Sequence, residues 1–102
     1  MGKNYNRGRG KEFEVVHFFR ERAYYAQRMA GSRGLWDIHA YWPGGEGGHH
    51  YLVQVKYSKT GTPSRYQDAN FHEFAALPVD ENTIKEVWVY TKGVGTPEII
   101  AL

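Results

Sequence analysis

The sequence predicts an α/β fold, with a central mixed β-sheet flanked by helices and the element order α-β-β-β-α-β-β. The first observation is a helical spacing of apolar residues, since Val15, Phe18 and Phe19 occupy positions i, i+3 and i+4. The second is a run of β-branched and aromatic residues over 51–57, which favours a strand. The third is size, because 102 residues with 41% hydrophobic content suffice for one core.

The other elements follow from the same two periodicities and from turn residues. Residues 31–34 and the glycine-rich stretch 43–48 are predicted turns, and the second of them joins two strands into a hairpin. In chain order, the predicted elements are a helix over 10–24, strands over 24–29, 36–42 and 51–57, a helix over 64–76, and strands over 87–91 and 98–102. We therefore expect a single domain over 10–102, preceded by a flexible basic arm over 1–9.

Composition narrows the class of protein. The chain has no cysteine, which excludes a disulfide and any cysteine-based metal site. No apolar run approaches the length of a membrane span, and the N-terminus lacks the apolar region of a secretory signal. These features predict a cytoplasmic protein, or one of the host cytoplasm if the gene is viral.

The charges are unevenly distributed along the chain. Residues 1–34 carry eight lysines and arginines against three glutamates, a net charge of +5, although the whole chain has only +2. A basic front end is typical of a protein that contacts phosphates. A solvated basic helix with no ligand would have the same composition, so charge alone leaves both interpretations open.

A small set of polar residues carries the chemical signal. Because side chains alternate along a strand, Gln54 and Lys56 share one face of the third predicted strand, and Asp37 shares a face with His39 in the second. If these strands pair, Asp37, Gln54 and Lys56 converge. Glu12 lies on or beside the apolar face of the first helix, where a glutamate without a partner is unusual.

This set suits the hydrolysis of phosphodiesters assisted by a divalent metal. Mg²⁺ prefers oxygen ligands, uses one or two carboxylates and keeps several waters. Asp37 is the expected central ligand, with the amide oxygen of Gln54 and the carbonyl of Val55 beside it. Lys56 is expected to steer the attacking water or to neutralise charge.

The arrangement resembles the PD-(D/E)XK nuclease superfamily, and most closely the archaeal-type Holliday junction resolvases. Three motifs carry the resemblance: a basic residue and glycine before Glu12, the pattern Arg28-Met29-Ala30-Gly31-Ser32 before Asp37, and Gln54-Val55-Lys56 at the position of the family's Glu-x-Lys. The resemblance covers roughly residues 7–92. Gln54 departs from the family pattern, because it replaces a carboxylate with a neutral amide.

The resemblance implies a restriction-endonuclease-like fold and a set of roles. Glu12, Asp37 and Lys56 take the catalytic positions, Gln54 takes that of the second acid, and Ser32 that of a serine close to the active site. Mg²⁺ or Mn²⁺ would be bound by Asp37, Gln54, Val55 and Glu12, with no small-molecule cofactor. The residues expected to contact DNA are Arg7, Arg9, Lys11, Arg33, Lys59 and Arg65. A homodimer is also implied, because two sites related by two-fold symmetry suit paired nicks in a four-way junction.

The sequence thus predicts an endonuclease that resolves four-way (Holliday) junctions by paired symmetric nicks. One alternative is an Mrr-like or general structure-specific DNase, because glutamine at the second-acid position also resembles the Mrr-type nucleases of the superfamily. Another is a catalytically weak DNA-binding protein, with Gln54 marking the loss of tight metal binding. A structural domain with no nucleic acid partner is a third.

Overall fold

The computed structural model describes residues 2–29, 34–44, 48–58 and 68–102, with side chains from Gly10 onward. Its elements are α1 (Gly2–Arg20), β1 (Tyr25–Arg28), β2 (Ile38–Tyr41), β3 (His50–Ser58), α2 (Ala69–Ala76), β4 (Thr83–Thr91) and β5 (Glu98–Ala101). The five strands form one mixed sheet, so the predicted α/β class with a mixed sheet is confirmed. No helix of the described ranges is long and apolar enough to cross a membrane.

The strands lie in the sheet in chain order, from β1 to β5. β1, β2 and β3 pair antiparallel, and Ile38 lies opposite Val53 in the predicted hairpin. β3 and β4 then pair in parallel over nine positions, from His50 with Thr83 to Ser58 with Thr91. A parallel pair needs a crossover connection, and the segment between these strands contains α2. β5 closes the other edge, antiparallel to β4.

The first helix begins earlier than the sequence predicts. α1 starts at Gly2, within the segment expected to form a separate arm over residues 1–9. Extending an existing helix by one residue costs much less than nucleating a new one, so weak helix formers are tolerated at its end. α1 ends at Arg20, and Ala23 then adopts a left-handed φ of 67° as the chain turns into β1.

One face of the sheet packs against α1. The residues of this α1-side core are all buried; they include Val15 and Phe19 of the predicted apolar face, while Phe18, its third member, is partly buried against the core. They are Val15, Val16, Phe19, Ala26, Ile38, Ala40, Val53, Trp88 and Tyr90. Aromatic rings interlock around it, with the Phe18 ring 4.9 Å from that of Trp88 and at 75° to it. This edge-to-face geometry is the favoured one for aromatic pairs.

The opposite face packs against α2 through a smaller core. Phe71 and Phe74 of the helix meet Val87 and Val89 of β4 in this α2-side core. Asp68 caps the helix, because its carboxylate accepts from the Phe71 N–H at 2.9 Å. The described part of α2 is shorter than the predicted 64–76, and residues 64–67 of that prediction lie outside the described ranges.

β4 is longer than predicted, since it begins at Thr83 rather than at Val87. The first half of β4 is not predicted from the sequence because it contains the charged residues Lys85 and Glu86, and charged residues are depleted in strands. Lys85 is nevertheless 8% exposed, and its ammonium donates to the carbonyls of Phe74, Ala75 and Leu77 at 2.7–3.0 Å. It binds carbonyls at the C-terminal end of α2, of which that of Phe74 also accepts from the Leu77 N–H at 3.2 Å.

Candidate active site

Asp37 is held at the point where the chain enters β2. Its backbone N–H donates to the Val53 carbonyl at 2.8 Å, and its carboxylate Oδ2 accepts from the Val55 N–H at 2.8 Å. The side chain therefore lies against β3 rather than in solvent.

The surroundings of Asp37 favour its neutral form. Burial raises the pKa of the Asp37 carboxyl above its usual range, although the hydrogen bond from Val55 works in the opposite direction. Glu12 raises this pKa further, whereas the positive charges of Lys56 and Arg28 lower it. An acid that is costly to ionise in the free protein gains most when a cation neutralises it, which is typical of functional carboxylates.

Gln54 lies next to Asp37 in the fold and is 4% exposed. Its amide nitrogen donates to the Leu35 carbonyl at 2.9 Å and reaches the Asn70 carbonyl at 3.4 Å. Its oxygen, Oε1, is buried and has no hydrogen-bond partner among the described residues. Buried acceptors are nearly always satisfied, so this one indicates a place for a water, an ion or a ligand group.

Lys56 points to the same face of β3 as Gln54 and contacts the start of α2. Its ammonium lies 2.8 Å from Oδ2 of Asp68, the residue that caps α2. Burial alone would raise the pKa of Asp68, but the hydrogen bonds from Lys56 and from the Phe71 N–H outweigh burial and hold it below its usual range. The position of Lys56 is thereby fixed to the N-terminus of α2.

Glu12 approaches from α1 and is paired with an arginine. Its Oε1 accepts from Nε of Arg28 at 2.9 Å, and both side chains are largely buried. The Arg28 guanidinium also lies 4.9 Å from the centre of the Phe13 ring. The pair explains how a glutamate is tolerated beside the apolar face of α1, because its charge is matched.

The structure thus brings together four of the five predicted catalytic residues. Glu12 and Lys56 both act on the pKa of Asp37, while Gln54 and Val55 lie on the strand that receives the Asp37 side chain. Two further residues were missed by the sequence reasoning, Arg28 and Asp68. Arg28 stood within a quoted motif but was given no role, and nothing in the sequence marks Asp68 as the partner of Lys56.

Of the other predicted site residues, only Lys11 has a described side chain. Ser32, Arg33, Lys59 and Arg65 lie outside the described residues, as do the side chains of Arg7 and Arg9. Lys11 is described, and it is paired with Glu14 at 2.9 Å and lies 5.0 Å from the centre of the Tyr90 ring. Lys11 is therefore engaged on the α1 side of the sheet.

The side chains at this site offer oxygen ligands to a divalent metal. Within the described ranges there is no group of three or more His, Asp or Glu side chains that could hold an ion. The oxygens at the site include the half-buried carboxylate of Asp37, the amide oxygen of Gln54, which has no partner among the described residues, and the Glu12 carboxylate paired with Arg28. This fits a hard cation that keeps most of its water, as Mg²⁺ does, and not a transition metal that needs several nitrogen ligands.

His39 and His50 form a second polar feature on the uncovered part of the same face. His39 Nε2 and His50 Nδ1 lie 3.0 Å apart, and the two ring planes differ by only 7°. Burial and the charge of His50 lower the pKa of His39. The sequence predicts His39 on the face of Asp37, and in the structure its imidazole pairs with that of His50 on β3.

Comparisons with protein-family models, with curated proteins and with solved structures return no match for this chain.

Proposed function

We propose that this protein is a metal-dependent endonuclease that cuts branched DNA at four-way junctions. The observation that carries the proposal is the convergence of Asp37, Gln54 and Lys56 at one end of the sheet, with Glu12 close enough to raise the pKa of Asp37. The chemistry and spacing of the same residues in the sequence predict a metal-assisted site.

The topology supports the likeness to a restriction-endonuclease-like core. Three antiparallel strands follow the first helix, and a second helix then leads into a strand that is parallel to the third. In this topology Asp37 enters β2 while Gln54 and Lys56 lie on its neighbour β3. The residues that stand in sequence order at the expected motif positions therefore lie on neighbouring strands, as the proposed site requires.

Mg²⁺ or Mn²⁺ would be held by the carboxylate of Asp37, the amide oxygen of Gln54 and the carbonyl of Val55. When bound, the ion supplies charge neutralisation at the phosphate and makes a coordinated water more acidic. Lys56 presents a positive charge to the scissile phosphate or to the attacking water. Glu12 is held by Arg28 in a position to accept a proton or to orient a water.

The reaction is the hydrolysis of one phosphodiester bond. A water oxygen adds to phosphorus, the bond from phosphorus to the leaving sugar oxygen breaks, and that oxygen receives a proton. A homodimer would provide two such sites for paired nicks in the two-fold symmetric junction. Contacts to phosphates and to the shape of the junction explain how such an enzyme acts with little sequence preference.

The test is cleavage of a labelled immobile four-way junction in Mg²⁺, beside a linear duplex and a flap of the same sequence. The wild type is expected to make paired symmetric nicks in the junction, and Asp37→Asn to lose about 100-fold or more in rate. Asp80→Asn is the matched control, because Asp80 lies beside the first residues of β4 and serves only local hydrogen bonds there.

Other outcomes distinguish the alternatives. Equal cutting of duplex and junction would replace junction resolution by a general DNase of the Mrr kind, which the amide at position 54 also suits. Salt-dependent binding of the junction without cleavage at any Mg²⁺ or Mn²⁺ concentration would contradict an enzyme and leave a DNA-binding protein.

A further inference from the structure

We propose that Gln54 is a positioning residue whose amide joins the segment before Asp37 to the first turn of α2, so that this position requires an amide and rejects a carboxylate. The role of Gln54 in the active site rests on the proposed function. Its hydrogen bonds to Leu35 and Asn70, and their effect on stability, do not. The need for an amide opposes the expectation from the resemblance, in which a carboxylate at position 54 would improve the site.

The hydrogen bonds of Gln54 determine which way its amide faces. Its Nε2 has two neighbours, the Leu35 carbonyl at 2.9 Å and the Asn70 carbonyl at 3.4 Å, and both are backbone oxygens that can only accept. Turning the amide over would place oxygen against oxygen at these distances. The nitrogen therefore faces the two carbonyls, and Oε1 faces the other way.

The two carbonyls belong to different parts of the molecule. Leu35 lies two residues before Asp37, in the segment that delivers the carboxylate to β3, and Asn70 lies in the first turn of α2. A single buried side chain thus ties the Asp37 segment and the helix to the same residue of β3. Since Lys56 is tied to Asp68 in the same turn, Asp37 and Lys56 are both positioned relative to the start of α2.

A glutamate could not make these contacts. An ionised carboxylate has no donor, so the oxygen that takes the place of Nε2 would face the two backbone acceptors at Leu35 and Asn70, in a site that is 4% exposed. Leaving buried acceptors unpaired beside an uncompensated charge is among the costliest changes in a protein interior. The amide is therefore a requirement of this fold and not the remnant of a lost acid.

The first measurement is urea unfolding in the presence of EDTA, for the wild type, Gln54→Glu and Gln54→Met. Methionine keeps the length of the side chain and removes its hydrogen bonds without adding a charge. We expect Gln54→Met to lose about tenfold in the folding equilibrium constant, and Gln54→Glu to lose at least a further tenfold or to fail to fold. Gln27→Glu, the same change at an exposed position of β1, is the control for an added carboxylate on the sheet and should behave as the wild type does.

The second measurement is hydrogen exchange at the Val55 N–H. It reports how well the Asp37 segment is held in place, and a loss of packing alone does not change it selectively. The Val55 N–H is donated to the Asp37 carboxylate, so its hydrogen exchange reports on the Asp37 segment, and Val87 in the α2-side core is the reference. In Gln54→Met we expect exchange at Val55 to rise about tenfold more than exchange at Val87. Equal rises at both positions would mean that Gln54 only fills space.

The inference is overturned if Gln54→Glu is as stable as the wild type or as Gln54→Met. It is also overturned if Gln54→Glu binds Mn²⁺ more tightly than the wild type while exchange at Val55 is unchanged, because position 54 would then be a weakened acid site. Neither measurement uses DNA. Failure of the wild type to cut a junction would therefore remove the proposed function and leave this inference standing.

Discussion

The two helices are attached to the sheet by different kinds of interaction. α1 packs mainly through apolar and aromatic side chains around Phe19, Trp88 and Tyr90, to which the Glu12–Arg28 ion pair adds a polar contact with β1. α2 packs through only two buried phenylalanines, and buried or charged polar side chains hold both of its ends. The residues proposed for chemistry on β3, Gln54 and Lys56, lie on the α2 side.

The difference indicates a division of labour between the two faces of the sheet. Apolar packing is strong but tolerates small shifts, because many side-chain arrangements bury the same area. Hydrogen bonds and ion pairs have narrow distance and angle requirements, so they place groups more accurately for a similar free energy. On this view the α1 side supplies stability and the α2 side supplies geometry.

The largest expected effect is on the α1 side. Phe19→Ala removes a ring that is 3% exposed and contacts Phe18, Tyr24, Tyr51 and Trp88. We expect a loss of about 3–5 kcal/mol in the free energy of unfolding, measured in urea. Phe13→Ala is the control on the same helix, because Phe13 is 46% exposed and its ring lies against the Arg28 guanidinium, and it should cost about 1 kcal/mol or less.

The next effect breaks the polar attachment at the end of α2. Lys85→Met keeps the aliphatic stem but removes three hydrogen bonds to helix carbonyls, so we expect a loss of about 1.5–3 kcal/mol. Lys92→Met, at an exposed position after β4, should change the free energy by less than about 0.5 kcal/mol. Equal effects of the two substitutions would mean that Lys85 does not hold the helix.

Phe19 and Lys85 also indicate which parts of the fold can be predicted from the sequence. The sequence predicts the apolar face of α1 and, close to their observed bounds, the strands β1, β2, β3 and β5. These elements are predictable because buried residues recur at the helix or strand period. The charged start of β4 was missed. The sequence predicts a chemical role for the lysine within β3, Lys56, yet Lys85 in the neighbouring strand is buried for a structural reason.

The site was predicted in part for a similar reason. Asp37, Gln54 and Lys56 carry recognisable side chains at a recognisable spacing, and strand pairing brings them together. Their partners cannot be read in the same way. Asp68 meets Lys56 and Arg28 meets Glu12 across sequence separations of 12 and 16 residues, and only the packing of the helices on the sheet decides such contacts.

A smaller effect is expected where the polar attachment is exposed. Asp68→Asn keeps an acceptor for the Phe71 N–H and removes the charge that pairs with Lys56. Because the Asp68 side chain is half exposed, at 52%, we expect a loss below about 1 kcal/mol at neutral pH.

The pH dependence of this difference follows from the lowered pKa of Asp68. A carboxyl whose pKa is lower in the folded state stabilises the fold above its ordinary pKa, and this stabilisation is lost as pH falls through the folded value. The gap between wild type and Asp68→Asn in urea unfolding should therefore close in the acid range below about pH 4. A gap that is constant through that range would contradict the ion pair.

The smallest expected effect concerns His39. Burial and the neighbouring His50 lower the pKa of His39, so the unfolded chain takes up a proton at higher pH than the folded protein does. The wild type should lose stability as pH falls from about 7 to 5, by a fraction of a kcal/mol, and His39→Gln should lose less over the same range. Parallel pH curves for the two proteins would contradict a lowered pKa of His39 in the folded protein.

The central claim is that Asp37 is kept for chemistry at a cost to stability. Because its pKa is raised in the folded state, the wild type loses stability as pH rises through that range and the carboxyl ionises, and Asp37→Asn is free of this loss. The decisive measurement is therefore the stability of Asp37→Asn at neutral pH in EDTA, taken together with junction cleavage in Mg²⁺. The account predicts a variant that is more stable than the wild type and does not cut. A variant that is less stable, or that still nicks the junction at the wild-type rate, would contradict it.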